Sequence, residues 1–260
     1  MAFIHSEQEF NPDQLANPII GIASSLGIHD SGSHSHQRHQ LLFAQAGCMS
    51  IELDHRICLL PPSRAAWIPP GVLHRVLMTS VVEYRSIYFS PSPNLPNDVQ
   101  IFEVNPLLRE LIERISYWPW NKPIKEQANT LALFLDELNA AAQENWQLRM
   151  PKHPRLQNWL IQIKTGVILP AQLNLFANQI GMSTKTVSRI FKSETGMSYQ
   201  AWRQQWRLIR AMELLADARQ VSKVADQLEF SSDSAFISFF KQHTGHTPLH
   251  FLNAKDKIMK

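Results

Sequence analysis

Between Gln172 and Phe251 the chain writes one short pattern twice, and nothing else in it restricts the fold so tightly. Ala177-Asn178-Gln179-Ile180-Gly181-Met182-Ser183 is answered 48 residues later by Ala225-Asp226-Gln227-Leu228-Glu229-Phe230-Ser231. Phe191-Lys192-Ser193-Glu194-Thr195-Gly196 recurs 49 residues later as Phe240-Lys241-Gln242-His243-Thr244-Gly245, the extra residue fitting the Ser231-Ser232 pair. Two copies are too few for a solenoid, so they are paired modules.

Each copy has helix-turn-helix spacing. In the first, Phe176, Ile180, Val187 and Ile190 can close a small core; Ala177 lets two helices approach and Gly181 permits a tight turn. Ser183 is placed to cap the second helix. On that helix Val187, Ile190 and Phe191 point inward, leaving Thr184, Lys185, Ser188, Arg189 and Lys192 outward. A basic, hydroxyl-bearing face suits major-groove reading. A solvated helix face would look the same in one copy, but two copies in register favour DNA. In the second copy Glu229 replaces the turn glycine, so the backbone must avoid positive φ or carry strain. Its outward set is Asp233, Ser234, Ile237, Ser238 and Lys241, with Phe236, Phe239 and Phe240 inside. It has fewer base-reading donors than the first.

Tyr199 to Ala216 lacks glycine and proline and predicts one helix of 18 residues, roughly 27 Å long. That is near the ~34 Å between successive major grooves on one face of a duplex. Trp202, Trp206, Ile209, Met212 and Leu215 form its apolar stripe, and Arg203, Arg207 and Arg210 add charge; Lys192, Lys241, Arg203 and Arg207 are candidates for phosphate contact or linker packing.

These residues, with Arg207-Leu208, Ala211, Leu214-Leu215 and the closing Gly245-His246-Thr247-Pro248, resemble the DNA-binding domain of the AraC/XylS family of bacterial transcription regulators over Leu156 to Phe251. The resemblance implies base reading by Lys185, Ser188 and Arg189 in the first module and by Asp233, Ser234 and Ser238 in the second. Many family members have arginine where Ser238 stands. It also implies RNA polymerase as a partner, and an activator rather than a repressor.

The bulk properties agree. From Pro151 onward 15 Lys and Arg face 7 Asp and Glu; before it the balance is 10 against 15. That split fits a nucleic-acid-facing C-terminal half. No apolar run reaches membrane-spanning length and the start lacks signal-peptide features, so the expected location is the cytoplasm, with no membrane partner. Cys48 and Cys58 have no CxxC spacing and suggest buried thiols.

Upstream, short strands are expected at Ile19–Ile28, Gln40–Ala46, Met49–Asp54, Arg64–Ile68, Leu73–Leu77 and Val81–Phe89, punctuated by turns such as Pro69-Pro70-Gly71. Such spacing suggests a small barrel or jelly roll. In extended chain His34, His36 and Gln40 project from one face and His39 from the other. Pro69-Pro70-Gly71-Val72-Leu73-His74 brings a further histidine behind a turn. This layout resembles the two cupin motifs, with Gln40 where glutamate is usual and Met78 where asparagine sometimes follows. The resemblance implies metal ligation by His34, His36 and His74, with Gln40 as a weak fourth, for zinc, nickel, copper or iron. Equally, the histidines could hydrogen-bond an organic effector. The remaining histidines show no ligand spacing and have surface or capping roles.

Asn105 to Tyr117 and Lys125 to Asn145 have helical periodicity, through Leu108, Leu111, Ile112 and Ile115 and through Leu131, Phe134, Leu135 and Leu138. These helices either cover the barrel or pair two subunits as a homodimer. Gln147 to Arg155 is expected as an exposed hinge. The fold class is therefore two-domain: an all-β cupin-like sensor barrel (1–100), a helical cover or dimerisation segment (101–146), a linker (147–155) and an all-α DNA-binding domain (156–260) with two helix-turn-helix motifs on a linker helix. The function expected is a non-enzymatic, sequence-specific regulator binding a double-stranded DNA operator and controlled by a small molecule or metal. The rivals are a metal-dependent cupin enzyme fused to a DNA module, which Gln40 serves poorly as acid or base, and a constitutive DNA binder with a structural barrel.

Overall fold

The computed structural model describes residues 10–54, 56–79, 81–144, 147–164, 166–216 and 220–251. The chain divides into two compact units, Met1–Asp54 with Cys58–Trp146, and His55–Ile57 with Gln147–Lys260. His5, His55 and Asn145 lie outside the described residues.

The first unit is β-rich. Its strands are β1 (Ile19–Leu26), β2 (His29–Asp30), β3 (His39–Ala46), β4 (Met49–Leu53), β5 (Arg56–Leu60, of which Cys58 to Leu60 belong to this unit), β6 (Arg64–Ile68), β7 (His74–Met78), β8 (Val82–Phe89), β9 (Gln100–Glu103) and β10 (Gln143–Glu144). One sheet runs β1-β8-β3-β6-β9-β10 and the other has the sequence of neighbours β5-β4-β7-β2, all pairings being antiparallel where registered. Strands β2, β5, β9 and β10 were not expected. After the exposed Arg56, β5 is a short apolar run from Ile57 to Leu60, without the alternation that marks a half-exposed strand.

The larger sheet is covered on both faces, which is why its strands are apolar almost throughout. Leu41 and Phe43 of β3, Ala65 and Trp67 of β6, and Ile87 and Phe89 of β8 belong to one core. Leu42 and Ala44, Ala66 and Ile68, and Val82 belong to the other, facing the second sheet with Met49, Ile51 and Val76. The period of two decides which side each residue serves.

Two helices seal the first face. In α1 (Pro106–Ser116) the Asn105 side chain accepts from the Leu108 N–H at 2.8 Å, and Pro106 opens the first turn. Its stripe of Leu108, Leu111, Ile112 and Ile115 is buried on the sheet, each side chain worth about 1.5–3 kcal/mol. In α2 (Ile124–Ala140) Phe134 and Leu138 are buried in the same core, with Leu131 and Leu135 at its margin. The expected continuation to Asn145 is corrected: α2 stops at Ala140, past its last buried leucine, and Gln143 pairs with Phe102 instead. Gly21 is required where α1 crosses β1, since a Cβ there would lie 2.0 Å from the Ile115 carbonyl oxygen. Arg85 of β8 grips the Glu113 carboxylate of α1 through Nε at 2.7 Å and a terminal nitrogen at 3.0 Å.

The second unit opens with β11 (Gln147–Arg149), then α3 (Gln157–Lys164), α4 (Leu173–Gln179), α5 (Thr184–Thr195), α6 (Tyr199–Ala216), α7 (Val221–Gln227) and α8 (Asp233–Thr244). The exposed hinge expected at Gln147 to Arg155 is corrected. Leu148 and Met150 are buried at 1% and 4% exposure, because the indole of Trp202 donates to the Arg149 carbonyl at 2.8 Å. Further along, the Glu194 carboxylate accepts from the Lys152 and His153 N–H groups at 2.6 and 3.0 Å. No helix among the described residues is long and apolar enough to cross a membrane.

Candidate nucleic-acid interface and effector site

Helices α4 and α5 form the first module around an aromatic core. Phe176 stacks on Tyr199 with centroids 4.9 Å apart, and Trp159 lies 4.3 Å from Phe176 and 5.6 Å from Trp202. Val187, Ile190 and Phe191 are buried there, while Ile180, expected inside, is half-buried at the rim of the turn. Gly181 has φ +64°, and the Ser183 hydroxyl accepts from the Thr186 N–H at 3.1 Å. That cap starts α5 with its outward face intact. Thr184, Lys185, Arg189 and Lys192 are exposed, and Ser188 between them is half-buried. Lys192 Nζ also donates to the Gly196 carbonyl at 3.1 Å, fastening the helix end.

The second module repeats the construction. Ser232 caps α8 by accepting from the Ala235 N–H at 3.1 Å, and Glu229 occupies the turn at φ +55°, so the strained option is the one taken. Asp233, Ser234, Ile237, Ser238 and Lys241 are exposed. Phe236 and Phe240 are fully buried, but Phe239 is only half-buried, against Phe230 and His243. With one lysine and one aspartate, this face has a weaker claim on DNA than α5.

The linker helix α6 spans Tyr199–Ala216 as expected, with Trp202, Trp206, Ile209, Met212 and Leu215 all buried. Of the two uses open to its arginines, packing is the one observed. Arg203 Nε donates to the Pro170 carbonyl at 2.6 Å, Arg207 to the Leu228 carbonyl, and Arg210 pairs with Glu213 at 2.7 Å.

In the first unit His34, His36, His74 and Gln40 come together. His34 and His74 exchange both backbone hydrogen bonds at 2.9 Å, and their rings lie 4.4 Å apart. The His36 ring lies 5.2 Å from His74 and 6.3 Å from His34. Each Nδ1 meets a backbone carbonyl: Gly32 for His34 (3.0 Å), Arg38 for His36 (2.7 Å) and Val72 for His74 (2.9 Å). Since a carbonyl only accepts, Nδ1 of His34 and of His74 carries the proton and leaves Nε2 to accept, whereas His36 sets both ring nitrogens against oxygens. His36 Nε2 lies 3.0 Å from the Gln40 Oε1, and the Gln40 Nε2 donates to the hydroxyls of Ser86 (3.0 Å) and Tyr88 (2.8 Å). His74 Nε2 is buried with no hydrogen-bond partner among the described residues. Burial, opposed in part by the Val72 bond, pushes His74 down to about 4; it pushes the Tyr84 and Tyr88 phenols up.

Tyr84, Ser86 and Tyr88 were not anticipated. The sequence shows three polar side chains two residues apart on β8, but that they face Gln40 follows only from the β3 pairing. Among the described residues no three His, Cys, Asp or Glu side chains stand as a ready metal centre. Gln40 brings no charge and holds His36, so the donor set as folded fits an organic hydrogen-bonding group better than an ion.

Comparison with known proteins agrees with this division of labour. A family model described as AraC-like ligand binding domain matches residues 19–198, and one described as Helix-turn-helix domain matches residues 176–254. The HTH-type transcriptional regulator NimR of Escherichia coli (strain K12) is 28% identical over 251 residues, covering 94% of this chain and 90% of that protein. The virulence regulon transcriptional activator VirF of Yersinia enterocolitica is 27% identical over 233 residues, covering 80% and 78%. The solved structure of ToxT from Vibrio cholerae O395 aligns at 9% identity with a TM-score of 0.37, over 91% of this chain and 97% of that one. With a ligand-binding model matching well over half of its length and a helix-turn-helix model matching its C-terminal part, the chain belongs to the AraC family of DNA-binding transcriptional regulators.

Proposed function

We propose that this regulator reads a bipartite double-stranded DNA operator with α5 and α8, and that a small molecule seated at the histidine cluster controls the reading. The observation that carries it is the outward face of α5. Lys185 and Arg189 are exposed on a helix whose other side is locked in an aromatic core, so their aim is fixed before DNA arrives. Arg189 is assigned to guanine, where a bidentate pair discriminates by about 1–3 kcal/mol, with Lys185 and Ser188 sharing the base edges. Arg189→Ala is expected to weaken a selected operator by about tenfold or more while random DNA binding falls far less. Equal losses on the two DNAs would make Arg189 a phosphate contact and remove the argument.

The effector reading rests on the unpartnered lone pair of His74 Nε2, which suits an N–H or O–H donor on a ligand. A divalent metal is the second reading, favoured by the three Nδ1 groups held on carbonyls, the usual support of a ligating imidazole. Metal analysis of gently purified protein, beside His34→Ala and His74→Ala variants, separates the two; turnover of any bound compound would favour the enzymatic rival. Activation through RNA polymerase and pairing of two chains are carried by family likeness alone. Any control exerted is limited to the effector's differential affinity for two arrangements of the protein.

A further inference from the structure

The two modules are held apart by a cleft of about 710 Å³, floored by Arg203, Arg210 and Leu214 of α6. Leu175 and Gln179 of the first module line one wall, and Leu228 and Glu229 of the second line the other. What fixes the modules relative to one another is therefore how each is fastened to α6. Beside the apolar packing of α6, the polar part of that fastening is done by two arginines one helical turn apart, about 6 Å along the axis.

Arg203 holds the first module at its entrance. Its Nε donates to the Pro170 carbonyl at 2.6 Å, next to the Tyr199 hydroxyl, which donates to Ala171 at 2.7 Å. Arg207 holds the second module at its turn. It donates to the Leu228 carbonyl while its guanidinium carbon lies 3.8 Å from the Phe230 ring centroid and 5.9 Å from that of Phe239. Burial, with the neighbouring Arg203 charge, holds the Arg207 guanidinium down to about 10, still protonated at neutral pH. A planar guanidinium can stack on the phenylalanine and donate in its own plane at once; an ammonium cannot do both.

We propose that Arg203 and Arg207 are positioning residues that fix the separation and rotation of the two reading helices, so that the protein accepts one spacing between DNA half-sites. One base pair added between half-sites moves the second by roughly 3.4 Å along the duplex and turns it around the axis. A stiff pair of modules cannot follow, whereas a loosened pair can. Neither arginine needs to touch DNA for this.

The inference rests on both modules engaging one duplex, and the test separates the two claims. The full chain first selects a bipartite site from random DNA. Binding is then measured on that site, on versions with one base pair added or removed between half-sites, and on the first half-site alone. Wild-type protein is expected to lose about tenfold on a shifted site. Arg207→Lys and Phe230→Leu, which loosen the stack from opposite sides, should lose about threefold or less on the same shift, with first-half-site binding unchanged. Thermal melts of each variant check that the unit is folded. Variants that keep the full spacing penalty, or that lose first-half-site binding in proportion, overturn the positioning role. A wild-type chain that protects a single half-site overturns the two-module reading and this inference together.

Discussion

The two turns of the paired modules offer an internal experiment on backbone strain. Gly181 sits at φ +64° and its counterpart Glu229 at φ +55°, so one sequence position is occupied once by the residue that suits it and once by one that does not. A left-handed conformation costs a residue with a Cβ about 1–2 kcal/mol. Replacing that residue by glycine also loosens the unfolded chain, returning about 0.4–1 kcal/mol. The difference leaves Glu229→Gly stabilising by about 1 kcal/mol relative to Glu229→Ala, the comparison that removes the carboxylate from both sides. Gly181→Ala should lose a similar amount, since nothing lies within 4 Å of the added Cβ and only its conformation is at issue. Calorimetry or far-ultraviolet melting of the C-terminal transition reads this as roughly 4 °C in Tm, up in one case and down in the other. A Glu229→Gly protein no more stable than Glu229→Ala would refute the reasoning, and so would a costless Gly181→Ala.

Two further outcomes follow from the first unit. Gly21→Ala drives a methyl group to 2.0 Å from the Ile115 carbonyl oxygen, so it is expected to destabilise that unit by about 3 kcal/mol; urea unfolding checks it, and a loss under 1 kcal/mol would mean α1 lifts without penalty. Burial holds His74 down to about 4 against an ordinary 6.5, so the folded unit binds fewer protons than the unfolded chain between those values. Its stability is therefore complete above pH 7, falls as pH drops through 6.5, and levels off below 4; about 2 kcal/mol should be lost between pH 7 and pH 5 in metal-free protein. His39, also pushed down by burial, acts in the same direction. A melting temperature flat across that range would contradict both.

How much could be read in advance depended on whether the signal was local. Ser183 as a cap, Gly181 as a turn and the unbroken helix from Tyr199 to Ala216 depend on neighbours within a turn or two, and each stands where its sequence placed it. The misjudged segments are those decided by distant partners. Gln147 to Arg155 looked like a hinge because it holds two prolines and several polar residues. It is ordered because Trp202 and Glu194, 53 and 42 residues on from the groups they bind, satisfy its backbone. Likewise His34, His36, Gln40 and His74 could be grouped by motif spacing. Tyr84, Ser86 and Tyr88 join them only through the antiparallel register of β3 and β8, which no spacing within either strand reveals. The arginines of α6 were ambiguous for the same reason: their acceptors, Pro170 and Leu228, are main-chain carbonyls and leave no trace in residue type.

The seat of α1 on β1 has a mechanical meaning. At Gly21 main chain rests on main chain, and a joint without side chains has no rotamers with which to absorb a displacement. β1 is zipped along its whole length to β8, whose hydroxyls surround Gln40. A ligand that tugs on that strand from within would therefore find the helix on the far side moving with it, as one stiff piece.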